Sequence, residues 1–413
     1  MNRTITLPIL VAMCCLSAFA TDIFLPAMPD VARWFGTSLA PVQWSLGAFL
    51  FSYAIGQIVF GILSDRYGRK IPLLAGVLLF AIGNYMCVVA DSVQMLIIGR
   101  FISGFGGGTG SVSAFAIARD HWSGTALSRN IAKIAGCVSI APVIAPIFGA
   151  MLNQTAGWQS IFWTLTILAI LLLGWIASRL PSNRSLALQT TSSNQSIQAT
   201  FITILRTRST RIYLVANAAS FSALFAFISL SPGLFIDQLG TSPELYAVLF
   251  ATNAVVMVLS SFILARLVEH YSLASLLGPG SAFMLVGGVV MLLVAASQSF
   301  ELSIAAIIVP MMLTTFGIAI TMSVSMSGIM QASPGYAAKA SSVAGCSRFI
   351  CAALTSFFLS QFETTTVVPL AAAILVFSCF GIFSYLRLRR SGFSNSAADK
   401  LTNTSAQAAS SSR

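Results

Sequence analysis

Apolar residues in this chain do not alternate with polar ones. They gather in long continuous runs, and the short stretches between the runs hold most of the charge. Such a run, wound as a helix of about 20 residues, matches the hydrocarbon core of a bilayer. Only α-helices and closed barrels satisfy every backbone polar group in lipid, and barrel strands need strict alternation. The pattern therefore predicts an all-α membrane protein. Twelve spans are expected, at about 5–28, 42–63, 72–90, 94–118, 131–152, 159–178, 212–235, 245–265, 274–297, 302–328, 341–361 and 367–386.

The longest internal connection, residues 179–211, is rich in Ser, Thr, Asn and Gln in its middle and reads as a polar linker. It separates six spans from six, which predicts two pseudo-symmetric six-helix bundles, 1–178 and 212–387. The polar stretch 388–413 reads as a disordered tail.

Composition supports this picture. The chain is 57% hydrophobic and 8% charged, against about a quarter charged in a soluble domain. Its net charge of +11 does not point to nucleic acid, because the basic residues form no stripe and sit in the gaps between apolar runs. With the N-terminus inside, nearly all of them fall in cytoplasmic segments; Arg33 falls outside, and Arg100 and Arg348 lie within spans. The positive-inside rule then places both termini of this multi-pass chain in the cytoplasm, and a bacterial inner membrane is its expected location.

The seven cysteines all fall in apolar segments without a CxxC pair, so buried free thiols are expected. His121 and His270 stand near helix ends and suggest no ligand pair. No metal, no cofactor and no enzyme activity are expected, since no catalytic cluster, nucleotide loop or soluble domain is present.

Three ionisable residues lie deep in spans: Asp22, Arg100 and Arg348. Each costs roughly 2.5–3.5 kcal/mol at a helix centre on insertion scales. Asp22 and Arg100 fall at similar depth and are expected to face each other. They form either a static ion pair or a proton-exchanging site in which Arg100 tunes Asp22. Arg348 has no spanning carboxylate near it in the second half, since Glu244, Glu269, Glu301 and Glu363 are all close to loops. It meets either an anionic or carbonyl-rich substrate or backbone carbonyls within the bundle.

The fourth span carries RFISGFGGGTGS, Arg100 to Ser111, with GxxxG spacing at Gly104/Gly108 and Gly106/Gly110. The fifth carries Pro142, Pro146 and Gly149. Both features suit close helix packing, and both suit bent helices in a rocking motion.

The loop GILSDRYGRK, Gly61 to Lys70, is the sharpest local signal. A merely basic loop needs neither Asp65 nor the glycines. Its order of residues, between the second and third spans, resembles the signature loop of the major facilitator superfamily. TDIFLPAMP (Thr21–Pro29), SYAIGQIVFG (Ser52–Gly61), GRFISGFG (Gly99–Gly106), ARD (Ala118–Asp120), APVIAPIFG (Ala141–Gly149) and FAFISLSPGLF (Phe225–Phe235) extend the likeness. Together they resemble the bicyclomycin/chloramphenicol-resistance branch of drug:proton antiporters.

That resemblance implies a proton-coupled efflux transporter, monomeric and without a cofactor, whose partners are a small molecule, protons and the lipid bilayer. It implies proton coupling at Asp22 and Arg100, and gating at Gly61, Asp65, Arg66, Gly68 and Arg69. Pro142, Pro146 and Gly149 match the fifth-span bending element of antiporters. Arg348 and Tyr53 are cavity candidates, and Tyr53 reads equally as a packing residue. There are departures: Ile62 replaces a usual proline, Ser103 a usual glutamine, and Arg348 a neutral polar residue. Asp22 has no second acidic residue beside it in the first span, which argues against broad recognition of cationic drugs. The expected substrate is a small organic drug such as a phenicol or a bicyclomycin-like compound. The alternatives are export of a neutral or anionic metabolite (a carboxylate siderophore or a nucleoside) and proton-symport uptake.

Overall fold

The structure, a computed structural model, describes residues 7–180, 207–296, 303–333, 337–362 and 366–390. Among these, twelve helices are long and apolar enough to cross a membrane. They are Leu7–Trp34, Leu39–Tyr67, Lys70–Val88, Val93–His121, Gly124–Ala156, Gln159–Arg179, Arg208–Gln238, Pro243–Leu267, Leu273–Ala296, Ile304–Gln331, Ala340–Leu359 and Val368–Arg390. They coincide with the predicted runs to within several residues. Most of the expected linker, most of the expected tail, Glu301 and Glu363 lie outside the described residues.

The described residues fall into two compact units. One contains the first six spans with Phe225–Val255 and Phe349–Thr366; the other contains the described parts of Ser196–Leu224, Val256–Arg348 and Val367–Arg413. The seventh, eighth and eleventh spans thus each contribute one portion to either unit.

In the first unit the fourth span is the hub, packed against the first, second and third. Its glycines make this possible. A Cβ on Gly104 would overlap the carbonyl of Phe49, and one on Gly108 would lie 2.6 Å from the carbonyl oxygen of Tyr53, both in the second span. The other GxxxG pair divides its work. Gly106 abuts the third span at Gly76 and Phe80, whereas Gly110 abuts the first at Met13. In lipid, where burying apolar surface gives no drive between helices, this backbone approach supplies the dispersion that holds them together.

The second unit repeats the device. The third span packs on the fourth and sixth, and the ninth packs on the tenth and twelfth. Gly106 meets the carbonyl of Gly76 and the amide of Phe80; Gly317 meets the carbonyl of Gly280 and the amide of Met284. Gly83 and Gly287, each seven residues further along, repeat the relation against Ser103 and Thr314. The apolar core of this unit includes Tyr213, Leu277, Val324, Ala344 and Leu388.

Two of the cysteines depart from expectation. Cys137 and Cys379 are exposed on the surfaces of their spans, while Cys14, Cys87 and Cys346 are buried. A thiol is apolar enough for either place.

Candidate functional site

The first span is not one continuous helix. It winds from Leu7 to Asp22, passes through a 3-10 turn at Leu25–Ala27, and resumes at Met28–Trp34. Pro26 has no N–H to return to the preceding turn, and the helix is interrupted just before it. Among the described residues the amide of Ile23 still reaches Phe19, but that of Phe24 makes no bond to Ala20. The carbonyls at the end of the first segment are left in need of donors.

Arg100 supplies one. Its Nη1 donates to the carbonyl oxygen of Ala20 at 3.1 Å. The guanidinium lies over three rings, with its central carbon 4.2 Å from the centroid of Phe49, 5.4 Å from Phe24 and 5.9 Å from Phe162. The side chain is completely buried, and its Nε and Nη2 have no hydrogen-bond partner among the described residues. A cation at a helix C-terminus opposes the exposed carbonyl dipoles, and the ring faces offset part of its desolvation.

Asp22 is the last residue of the first helical segment and is also buried. The expected Asp22–Arg100 ion pair is not formed: the three ion pairs among the described residues are Arg33–Asp30, Arg69–Asp65 and Arg69–Asp120. The reason is geometric. Two residues along a helix turn the chain by about 200°, so a group engaged at Ala20 is not presented to the Asp22 side chain. Instead, Asp22 is within electrostatic reach of the Tyr246 hydroxyl, which shares a 3.0 Å hydrogen bond with Ser231. Sequence reading missed Tyr246, because a tyrosine in the first turn of a span carries no signal without its neighbours.

The fifth span leans on the same break. A Cβ on Gly149 would overlap the carbonyl of Ile23, and Phe148 lies 6.2 Å from Phe19, ring to ring. Pro142 and Pro146 both lie inside this helix, one and two turns before Gly149.

The loop motif forms a compact ionic cluster. Gly68 ends the second span with φ of 86°, a conformation that L side chains resist. The turn brings Arg69 back so that Nη1 donates to Asp65 at 2.6 Å and to Ser64 at 3.2 Å, while Nε donates to Asp120 at 2.8 Å. Burial pulls the Arg69 pKa down, but hydrogen bonds and charge from Asp120 and Asp65 outweigh it and hold the group above its ordinary value. The Asp65 side chain is 75% exposed and that of Asp120 only 21%. An exposed pair contributes a few tenths of a kcal/mol, so Asp120 is the stronger anchor. Asp120 is the second residue that sequence reading passed over, although it closes the quoted ARD. Arg66 faces outward over Tyr67 and enters none of these ion pairs, and a Cβ on Gly61 would reach Val112 at an ordinary 3.5 Å. The second half has Leu273 and Gln331 at the positions that repeat Arg69 and Asp120, so the cluster has no counterpart there.

Arg348, half-buried in the eleventh span, places its guanidinium carbon 4.8 Å from the Phe221 centroid. Tyr53 shares a hydrogen bond of 3.0 Å with Ser111, which also accepts from Gln57, and its ring meets Phe349 in a tilted contact at 4.7 Å.

Comparison with known proteins agrees with this architecture. A family model described as the Major Facilitator Superfamily matches residues 10–356. The uncharacterized MFS-type transporter YdgK of Bacillus subtilis is 29% identical, over 89% of this chain and 91% of its own length. The chloramphenicol resistance protein of Pseudomonas aeruginosa is 29% identical over 76% of this chain and 74% of its own. A bicyclomycin resistance protein homolog of Haemophilus influenzae is 25% identical over 86% and 88%. Among solved structures, a D-xylose-proton symporter superposes with a TM-score of 0.74 at 15% identity, covering 92% of this chain and 95% of that one. A bacterial homolog of the human lysosomal transporter Spinster gives 0.72 at 14% identity, over 94% and 96%. At such identities the structures speak for the fold alone, while the family model spans most of the helices described above. The chain belongs to the major facilitator superfamily, and its likeness within that family is to the bicyclomycin- and chloramphenicol-resistance proteins.

Proposed function

We propose that this transporter exports a small organic compound in exchange for protons, with Asp22 as the group that takes up and releases the proton. The observation that carries the reading is the placement of Asp22. It is a buried carboxylate at a helix break, without a cation partner among the described residues. A buried carboxylate that no cation neutralises alternates between charged and neutral forms as its access to water changes. Arg100 holds the break that presents it.

The substrate is a neutral or anionic molecule, consistent with a second buried-side cation at Arg348. By likeness to the named Pseudomonas aeruginosa relative, a phenicol is the first compound to test. The protein works as a monomer without a cofactor, in the inner membrane, with both termini in the cytoplasm. Reporter fusions check the orientation: one after Gln238 is expected outside, and one after Ser193 inside.

Flux into proteoliposomes, with and without an imposed pH gradient, tests the coupling. The native protein is expected to accumulate substrate only with the gradient. Asp22→Asn is expected to lose that accumulation and to retain exchange down a substrate gradient. Accumulation at the native rate by Asp22→Asn would remove Asp22 from the coupling role.

A further inference from the structure

The second span begins at Leu39 and ends at the Asp65 loop. Gln43 and Trp44 stand in its first two turns. They lie 22 residues before Asp65, and hence about 33 Å from that loop along the helix, the thickness of a hydrocarbon core. At this far end the second span is bonded to spans from the other half of the chain. Gln43 is buried to 1% exposure, and its Nε2 donates to the carbonyl oxygen of Ser229 in the seventh span at 2.8 Å. Trp44 Nε1 donates to Ser360 Oγ, just past the eleventh span, at 2.7 Å, and its ring lies 5.6 Å from Phe357. Ser229 and Ser356 complete the set with a 2.9 Å bond between their hydroxyls.

The second and eleventh spans run antiparallel through this zone. Trp44 meets Phe357, and Tyr53 meets Phe349. Gly47, between them, faces the backbone at Ala353, where a Cβ would sit in ordinary van der Waals contact 3.5 Å from the carbonyl oxygen. One turn beyond Ser229, the seventh span changes after Pro232 to a π turn, Gly233–Gln238. Such turns are rare and mark places where a helix can be rewound.

We propose that Gln43 and Trp44 are the gate residues of the end far from the Asp65 loop. Their side-chain donors latch the second span to the seventh and eleventh, and their release opens that end. The chemistry suits a gate. Each bond is neutral, and opening exchanges it for a bond to water, so the net cost of releasing each is small. An ionic latch would be harder to break in a buried site. The Asp65 loop has such an ionic cluster, but its bonds join only residues of the first half. At the far end the hydrogen bonds from the second span to the seventh and eleventh are neutral, and beside them Arg33 of the first span attracts Asp237 of the seventh. This inference depends neither on proton coupling nor on the direction of transport.

The test uses the full-length protein with Ala353→Cys, a position 4% exposed beneath the latch. A membrane-impermeant maleimide is applied to intact cells and, separately, to inside-out vesicles, with labelling of the seven native cysteines subtracted. Gln43→Met keeps side-chain length and removes the donor. Trp44→Phe keeps an aromatic ring against Phe357 and removes the indole N–H. Each is expected to raise the labelling rate of Cys at 353 about fivefold from one face, the shift that one lost hydrogen bond of ordinary strength produces. Labelling that rises from the vesicle side instead reverses the membrane orientation and leaves the gate in place. Unchanged labelling from both faces, in both variants at native expression, would overturn the gate assignment.

Discussion

Arg100 donates to the carbonyl oxygen of Ala20, not to the carboxylate of Asp22 two residues further on. The two charges that lie deepest in the first six spans are therefore held separately. One is fixed to the end of a broken helix beneath three rings, and the other stands buried at the break. This division has a consequence for stability. Breaking a buried ion pair from one side costs about 3–5 kcal/mol, because the remaining charge is left without its partner.

Asp22→Asn leaves the Arg100–Ala20 bond and the ring contacts untouched. The variant is expected to unfold within about 1 °C of the native protein in detergent, even though it loses pH-driven accumulation. A fall of several degrees would show that Asp22 compensates Arg100 after all. Arg100→Ala removes the helix cap and the ring contacts together, and its melting temperature is expected to fall clearly.

The ionic cluster at the loop yields a ranking. Asp120 and Arg69 face each other with side chains about one-fifth exposed, whereas Asp65 is largely in solvent. Asp120→Asn is expected to slow turnover more than Asp65→Asn, with substrate binding near native in both. Single-turnover flux against equilibrium binding separates the two effects. Equal slowing would show that the exposed Asp65 acts on something besides Arg69.

Much of this was legible in the sequence, and the reasons differ from place to place. Span number follows from run length, because the bilayer sets a physical ruler. The Gly68 turn is legible because L side chains resist a positive φ. The fourth-span glycines announced close packing, but only the structure shows that Gly104 and Gly108 serve one neighbour while Gly106 and Gly110 serve two. The Asp22–Arg100 pairing failed because depth along a helix is readable and direction around it is not. A break at Pro26 also created a carbonyl that competes for the arginine. Tyr246, Asp120 and Gln43 were missed for a common reason. The charged or polar groups they face lie 224, 51 and 186 residues away, and nothing local marks such a relation.

Arg348 stands beside the Phe221 ring in the second unit. If it contacts the substrate, Arg348→Ala is expected to weaken binding by about 1.5–3 kcal/mol, the range for a hydrogen bond to a charged group. Arg348→Lys is expected to restore only part of this, since an ammonium neither forks nor stacks like a guanidinium. Equilibrium binding of a phenicol to the purified protein measures both. Lysine equal to arginine would assign Arg348 a field or packing role.

The fifth span offers a paired test of the idea that its small residues serve the break in the first span. Gly149 and Gly136 lie in one helix, but their surroundings are opposite. A methyl on Gly149 would overlap the Ile23 carbonyl, whereas nothing lies within 4 Å of the position a methyl on Gly136 would take. Alanine at Gly136 is expected to be neutral, or to stabilise by up to about 1 kcal/mol, because it lowers the conformational freedom of the unfolded chain. Alanine at Gly149 must push the fifth span away from Ile23. That contact is backbone, so no flexible side chain can give way, and overpacking of this kind costs about 1–3 kcal/mol. The displaced segment carries Asp22 at its edge. Gly149→Ala is therefore expected to lower both the melting temperature and the pH-driven flux, while Gly136→Ala changes neither by a comparable amount. Thermal unfolding and proteoliposome flux, run side by side, decide it. If Gly149→Ala lowered stability but left coupled flux per folded molecule intact, the fifth span would be a packing partner of the break and no part of the coupling geometry.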